Sequence, residues 1–140
     1  MAGHINARFL AIGEAIAAAV AQVETGAAWK WAPEYDLQSV TARACWVTPA
    51  AENPLTLDRE SRGAWSQTCN FCVTLIDTNP ANVDSNAAQL MAIADAIANA
   101  PRMAGASLVG LTVASVCDPD WLKGKGIYIG GLNVSYMLID

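Results

Sequence analysis

The chain has 140 residues, 54% of them hydrophobic and only 15% charged, with a net charge of -5. A chain of this length buries about two thirds of the surface its unfolded form exposes, so one domain, 1–140, is expected to fold without a disulfide or a metal. An isoelectric point near 4.6 argues against a surface that grips nucleic acid, because phosphate binding rests on Lys and Arg, and the apolar surplus points to self-association.

Ile5, Phe9, Ile12, Ile16, Val20 and Val23 recur at steps of three and four, which predicts an amphipathic helix over 5–24 with Gly26 as its left-handed cap. The stretch from Trp29 to Tyr35 follows, with Trp29, Trp31 and Tyr35 close together around Pro33. Such rings either anchor an interface or cover the end of the core. Strand one is expected at 40–47, then a long polar loop from Thr48 to Arg62, then a long strand two at 65–77 that must outrun its partner or carry a bulge. Arg59 and Arg62, and Trp65 at the start of strand two, are candidate interface residues, because a guanidinium survives desolvation in contacts; the bland alternative is a solvated loop. The loop is expected to become ordered on contact with a neighbouring copy or another protein. Asp77-Thr78-Asn79-Pro80 stops strand two.

Helix two is expected from Asn82 or Asp84 to Ala100, with Asn82, Asp84 and Ser85 as candidate caps and Leu90, Ile93, Ala94 and Ile97 facing inward. Strand three covers 108–116 and ends at Asp118-Pro119-Asp120. A polar link, 121–126, leads to strand four at 127–139, where Gly130-Gly131 predicts a bulge or a close backbone approach. The fold class expected is α+β, two helices on a mostly antiparallel sheet of about four strands with a long loop between strands one and two.

Catalytic chemistry finds little to work with. His4 is the single histidine, and no nucleophile and base can be built around it. Cys69 and Cys72 have CxxC spacing, but residues three apart on a strand point to opposite faces, so Cys45, Cys69, Cys72 and Cys117 are read as reduced structural thiols and no metal or other cofactor is expected. Asp118 and Asp120 are read as turn formers ahead of cation ligands. Gly124-Lys125-Gly126 lacks the phosphate-loop spacing. No apolar run approaches the eighteen or so residues a spanning helix needs, and the start carries no basic and apolar leader pattern, so no membrane role is expected.

The order helix, aromatic-proline segment, strand, Arg-bearing loop, long strand, helix, strand, strand resembles that of the tail terminator (tail completion, or head-tail joining) proteins of long-tailed bacteriophages. The residues that carry the resemblance are Trp29 to Tyr35, Val40 to Pro49, Ser61-Arg62, Asp84 to Ala100 and Ser115 to Pro119. It implies a non-enzymatic virion protein of the tail and neck, assembled in the host cytoplasm. It further implies a homo-oligomeric ring, a hexamer, that caps the tail tube protein and meets the head connector or head-closure protein, with DNA passing unheld through an acidic lumen. A head-closure or minor tail protein is the near alternative. A small metal- or ligand-binding domain, or a small enzyme completed by a neighbouring subunit, would be readings of another class.

Overall fold

Apolar residues at helical spacing build the first element, α1 (Ala2–Ala21), whose Phe9, Ile12, Ile16 and Val20 are buried. The structure, a computed structural model, describes the backbone of residues 2–31, 43–59 and 65–139, and their side chains except those of 2–6, 58–59, 65, 80 and 139. The helix stops at Ala21 rather than Glu24. Val23, expected on the apolar stripe, therefore lies past the end and is 41% exposed. Gly26 is not the left-handed cap: among the described glycines only Gly105 and Gly126 have positive φ.

The strands are β1 (Ala27–Trp29), β2 (Ala44–Pro49), β3 (Leu55–Arg59), β4 (Trp65–Asp77), β5 (Arg102–Met103), β6 (Ala106–Ser115) and β7 (Tyr128–Ile139). They form one sheet in the order β1-β2-β4-β7-β6-β5, with β3 also on β4. The β1–β2 pair is parallel and the other pairs antiparallel. Helices α2 (Val83–Ala98) and α3 (Pro119–Lys125) complete the described fold. The expected two helices on about four strands is thus corrected to three helices and a curled seven-stranded mixed sheet, a half-barrel.

Two of the corrections share one cause. The length of β4 is accommodated by two partners on one edge, since Ala44–Pro49 pairs with its second half and Leu55–Arg59 with its first. Within the described part of the loop expected over 48–62, Thr48 and Pro49 still belong to β2 and Leu55–Arg59 to β3, and 50–54 leaves the ladder between them. Asn70 holds this excursion at both ends: its carbonyl accepts from the Ala50 amide at 3.0 Å and its amide donates to the Pro54 carbonyl at 2.8 Å. Residues 60–64 and the expected start of strand one, 40–42, lie outside the described residues.

Residues 102–107 form a tight hairpin in place of a plain connection. Ala104 (φ 51) and Gly105 (φ 83) occupy the two left-handed positions of a primed turn, whose twist matches that of the strands it joins. The expected polar link at 121–126 is mostly α3. Asp118 caps it by accepting from the amides of Asp120 and Trp121 at 3.0 and 3.3 Å, Pro119 opens it, and left-handed Gly126 ends it. The bulge expected at Gly130-Gly131 falls instead on β6, at Leu108/Gly110 and Val113/Ser115, while β7 pairs with β4 without a break. Gly130 is a close approach: an added Cβ would fall 3.0 Å from the Val116 carbonyl oxygen and from Leu90.

One face of the sheet carries Cys45, Val47, Cys69, Phe71, Val73, Leu75, Leu132, Val134 and Tyr136 into the core, where α1 and α2 cover them. From α2, Leu90, Ile93 and Ile97 are fully buried as expected, joined by Asn86. The helix ends at Ala98 rather than Ala100, and a short 3-10 turn at Pro80–Asn82 precedes it. Asn79 caps the 3-10 turn, its side chain accepting from the Ala81 amide at 3.0 Å, whereas Asn82, at the N-cap position of α2, makes no side-chain capping bond. Burying apolar side chains at about 25 cal/mol per Å² is the main force holding these layers together.

Candidate assembly surfaces

The aromatic segment divides into a core residue and a surface residue. Trp29, at the end of β1, sits edge-on to Phe9 and Phe71, with ring centroids at 6.1 and 5.8 Å, and Phe9 stacks on Phe71 at 4.7 Å. Gly13 on α1 makes room for it, since any Cβ there would overlap the Trp29 ring. Trp31 lies over Phe9 at 6.3 Å yet remains 61% exposed. Tyr35 and Arg62 lie outside the described residues. Arg59 ends β3, paired in register with Trp65 at the start of β4, but neither side chain is described. The structure thus brings Trp29 and Trp31 together, ring centroids 5.2 Å apart, and sets the backbones of Arg59 and Trp65 opposite each other.

The strand edges were not foreseen as surfaces. Beyond Ser107, where β5 stops, no described strand pairs with the outer side of β6, and none pairs with the outer side of β1. From Met103 to Cys117 the sequence contains no charged residue and no proline, the residues that normally blunt an edge. Val109, Val113 and Val116 are 52%, 41% and 45% exposed. On the other side of the sheet, Leu57 of β3 is 45% exposed and Trp31, two residues past β1, is 61% exposed. Most of the exposed large hydrophobic side chains described therefore lie on the two ends of one sheet. The signal in the sequence was the uncharged run itself, which reads equally well as a buried strand.

A cleft of about 470 Å³ lies between the 50–54 excursion and the outer face of β4 and β7. Its polar groups bond to one another. Asn70 donates through Nδ2 to the Asn53 carbonyl at 2.8 Å and accepts from Ser135, and the Cys72 thiol reaches Asn133 Oδ1 at 3.5 Å. This set shapes the excursion; Glu52 also lines the cleft, and burial raises the Cys72 thiol, which makes it a weak nucleophile.

A second polar group joins four elements. Arg43 forks onto Glu24, its Nε 3.1 Å and Nη2 2.9 Å from the carboxylate, and also donates to Asn86 Oδ1. Asp77 accepts from the Asn79 amide at 2.9 Å, Asn82 Nδ2 at 3.2 Å and Asn86 Nδ2 at 2.9 Å, with Arg43 3.6 Å away. Burial pushes the Asp77 carboxyl up, but these donors and the guanidinium outweigh it and hold it below its ordinary value. The group fastens the end of α1 and the start of β2 to the end of β4 and to α2. Sequence reading saw Asp77 only as a strand stop.

The cysteines diverge as expected of a strand, Cys69 buried on the core face and Cys72 half-buried on the other. Burial pushes the Cys45 and Cys69 thiols up to about 12 and about 11, and raises Cys72 as well, so these groups stay protonated and are poor nucleophiles and ligands. Among the described residues no group of three His, Cys, Asp or Glu could hold a metal ion, and no helix is long and apolar enough to cross a membrane. No family model matches the chain, and no curated protein matches it closely enough to assign it a relative.

Proposed function

We propose that this chain is a non-enzymatic structural subunit that works as part of a homo-oligomeric ring, the tail terminator of a long-tailed bacteriophage. The observation that carries the self-assembly is the placement of exposed apolar groups, Trp31 and Leu57 at one end of the sheet and Val109, Val113 and Val116 at the other. A ring needs a heterologous interface, one patch meeting a different patch on the next copy, and two apolar ends of one sheet supply such a pair. The tail and neck assignment rests on the resemblance in element order and on the segments that carry it. In this reading the ring caps the tail tube protein, meets the head connector and lets DNA pass, and the acidic balance of the chain suits a lumen that does not hold phosphate.

The test is to add purified tail tubes to the protein and image the ends by electron microscopy. Rings seated on tube ends support the proposal; a protein that stays monomeric and leaves every tube end bare overturns it.

A further inference from the structure

We infer that the cleft beside the 50–54 excursion is a binding site for a neutral saccharide, recognised by amides and hydroxyls on the sheet face turned away from α1 and α2. The inference goes beyond the assembly role and does not depend on it.

Thr48, Cys72, Asn133 and Thr112 lie directly opposite one another across β2, β4, β7 and β6, and residues so paired share one face of a sheet. The next row on that face toward β3 holds Asn70, Ser135 and Gly110. The row on the other side holds Trp46, Thr74, Gly131 and Ser115. None of these rows contains a charge. The alternate rows, such as Phe71, Val134 and Leu111, turn into the core, so the same strands are apolar inside and rich in hydroxyls and amides outside. The cleft opens on this outer face, and its volume of about 470 Å³ falls within the range of about 300–1,000 Å³ of small-ligand sites.

The lining decides what can enter. Glu52 is its single charged residue, and without Lys or Arg a phosphate, a free carboxylate or a nucleic acid finds no partner. A metal ion finds too few ligands, since no group of three His, Cys, Asp or Glu exists among the described residues. Phe71 and Val134 are buried with their side chains in the core, so an apolar ligand meets little beyond Ala50 and Ala51.

What remains is a mixed set of donors and acceptors. The side chain of Asn133 accepts from Cys72 through Oδ1, and among the described residues its Nδ2 donates to none, leaving two hydrogens for a ligand. Thr112, exposed beside it in the same row, likewise has an unengaged hydroxyl among the described residues. The Glu52 carboxylate supplies acceptors on the facing side. Asn70 is held by its bonds to Asn53 and Ser135, so this wall is ordered before anything binds. A sugar ring carries adjacent hydroxyls that each donate and accept without charge, which matches amide donors on one wall and a carboxylate on the other.

The experiment titrates maltotriose and N-acetylated chitotriose into the protein by calorimetry, each beside its monosaccharide, glucose or N-acetylglucosamine, and locates the contact by hydrogen exchange. At least one of these sugars should bind, with added protection at 50–54 and around Asn133. A trimer that binds more tightly than its monosaccharide identifies a glycan chain as the ligand, and equal binding a free sugar. Asn133→Ala and Glu52→Ala, each shown folded by circular dichroism, should weaken that binding about tenfold, the equivalent of one good hydrogen bond. Glucuronate, whose carboxylate Glu52 repels, should bind more weakly than glucose. No heat and no change in exchange with any of the neutral sugars would overturn the inference. So would binding that neither variant weakens, or glucuronate binding as tightly as the neutral sugars.

Discussion

Asn86 donates from Nδ2 to Asp77 Oδ2 at 2.9 Å, a fully buried amide on α2 holding a buried carboxylate at the end of β4. Replacing Asp77 by Ala strands that amide, the Asn82 side chain and part of Arg43 without their acceptor, and removing one partner of a buried bond costs about 1 to 3 kcal/mol, more where a charge is involved. Urea denaturation should show a loss of at least this size for Asp77→Ala, with the m-value unchanged.

The same carboxyl sets a pH dependence. Because its folded value lies below the ordinary 3.8, its contribution is complete above that value and is lost as pH falls through the lower, folded one. Stability measured from pH 6 downward should therefore decline more steeply for wild type than for Asp77→Asn, and the two curves should converge at the acid end. Parallel curves would show that Asp77 is not held ionised by its donors.

Asn70 is predicted to control the 50–54 excursion through its side-chain bonds to Asn53 and Ser135. Asn70→Ala keeps the backbone bonds but removes both side-chain ones, at a cost of about 1 to 2 kcal/mol. Hydrogen exchange should quicken over 50–54 while β7 stays protected.

Gly13 and Ala104 should respond in opposite directions. A side chain at Gly13 meets the Trp29 ring, so Gly13→Val should lose about 1 to 3 kcal/mol and shift the tryptophan fluorescence. Ala104 holds a left-handed conformation that Asn adopts more readily, so Ala104→Asn should raise stability by about 0.5 to 1 kcal/mol.

The thiols give a reactivity prediction. Cys45 and Cys69, buried and shifted to about 12 and about 11, should resist a disulfide reagent at pH 8 until the protein unfolds. Elemental analysis should find no stoichiometric zinc, and bound zinc released only on unfolding would overturn the structural reading of these residues.

The long periodic elements were legible in the sequence: the stripe through Phe9, Ile12, Ile16 and Val20, the inward set Leu90, Ile93 and Ile97, and the bounds of β4. Short elements were not. A strand such as Ala27–Trp29 has too few residues to show alternation, and β3 was hidden because 50–54 interrupts what is otherwise one edge partner of β4. Helix α3 carried its signals openly, Asp118-Pro119 at the start and Gly126 at the end, but Asp-Pro-Asp reads just as well as a turn closing a strand. Of the candidate interface residues, Trp31 has the exposure an anchor needs, while Trp29 belongs to the core edge. The β6 edge escaped notice because an uncharged apolar run does not reveal whether a neighbour covers it.

Light scattering coupled to size exclusion, run across a range of protein concentrations with and without tail tubes, weighs the particle against its 14.7 kDa subunit. A ring subunit gives a discrete mass at a whole multiple of that value, formed at high concentration or on the tube ends. A single 14.7 kDa species at every concentration, unchanged by the tubes, would contradict the proposal that this chain is an assembly part.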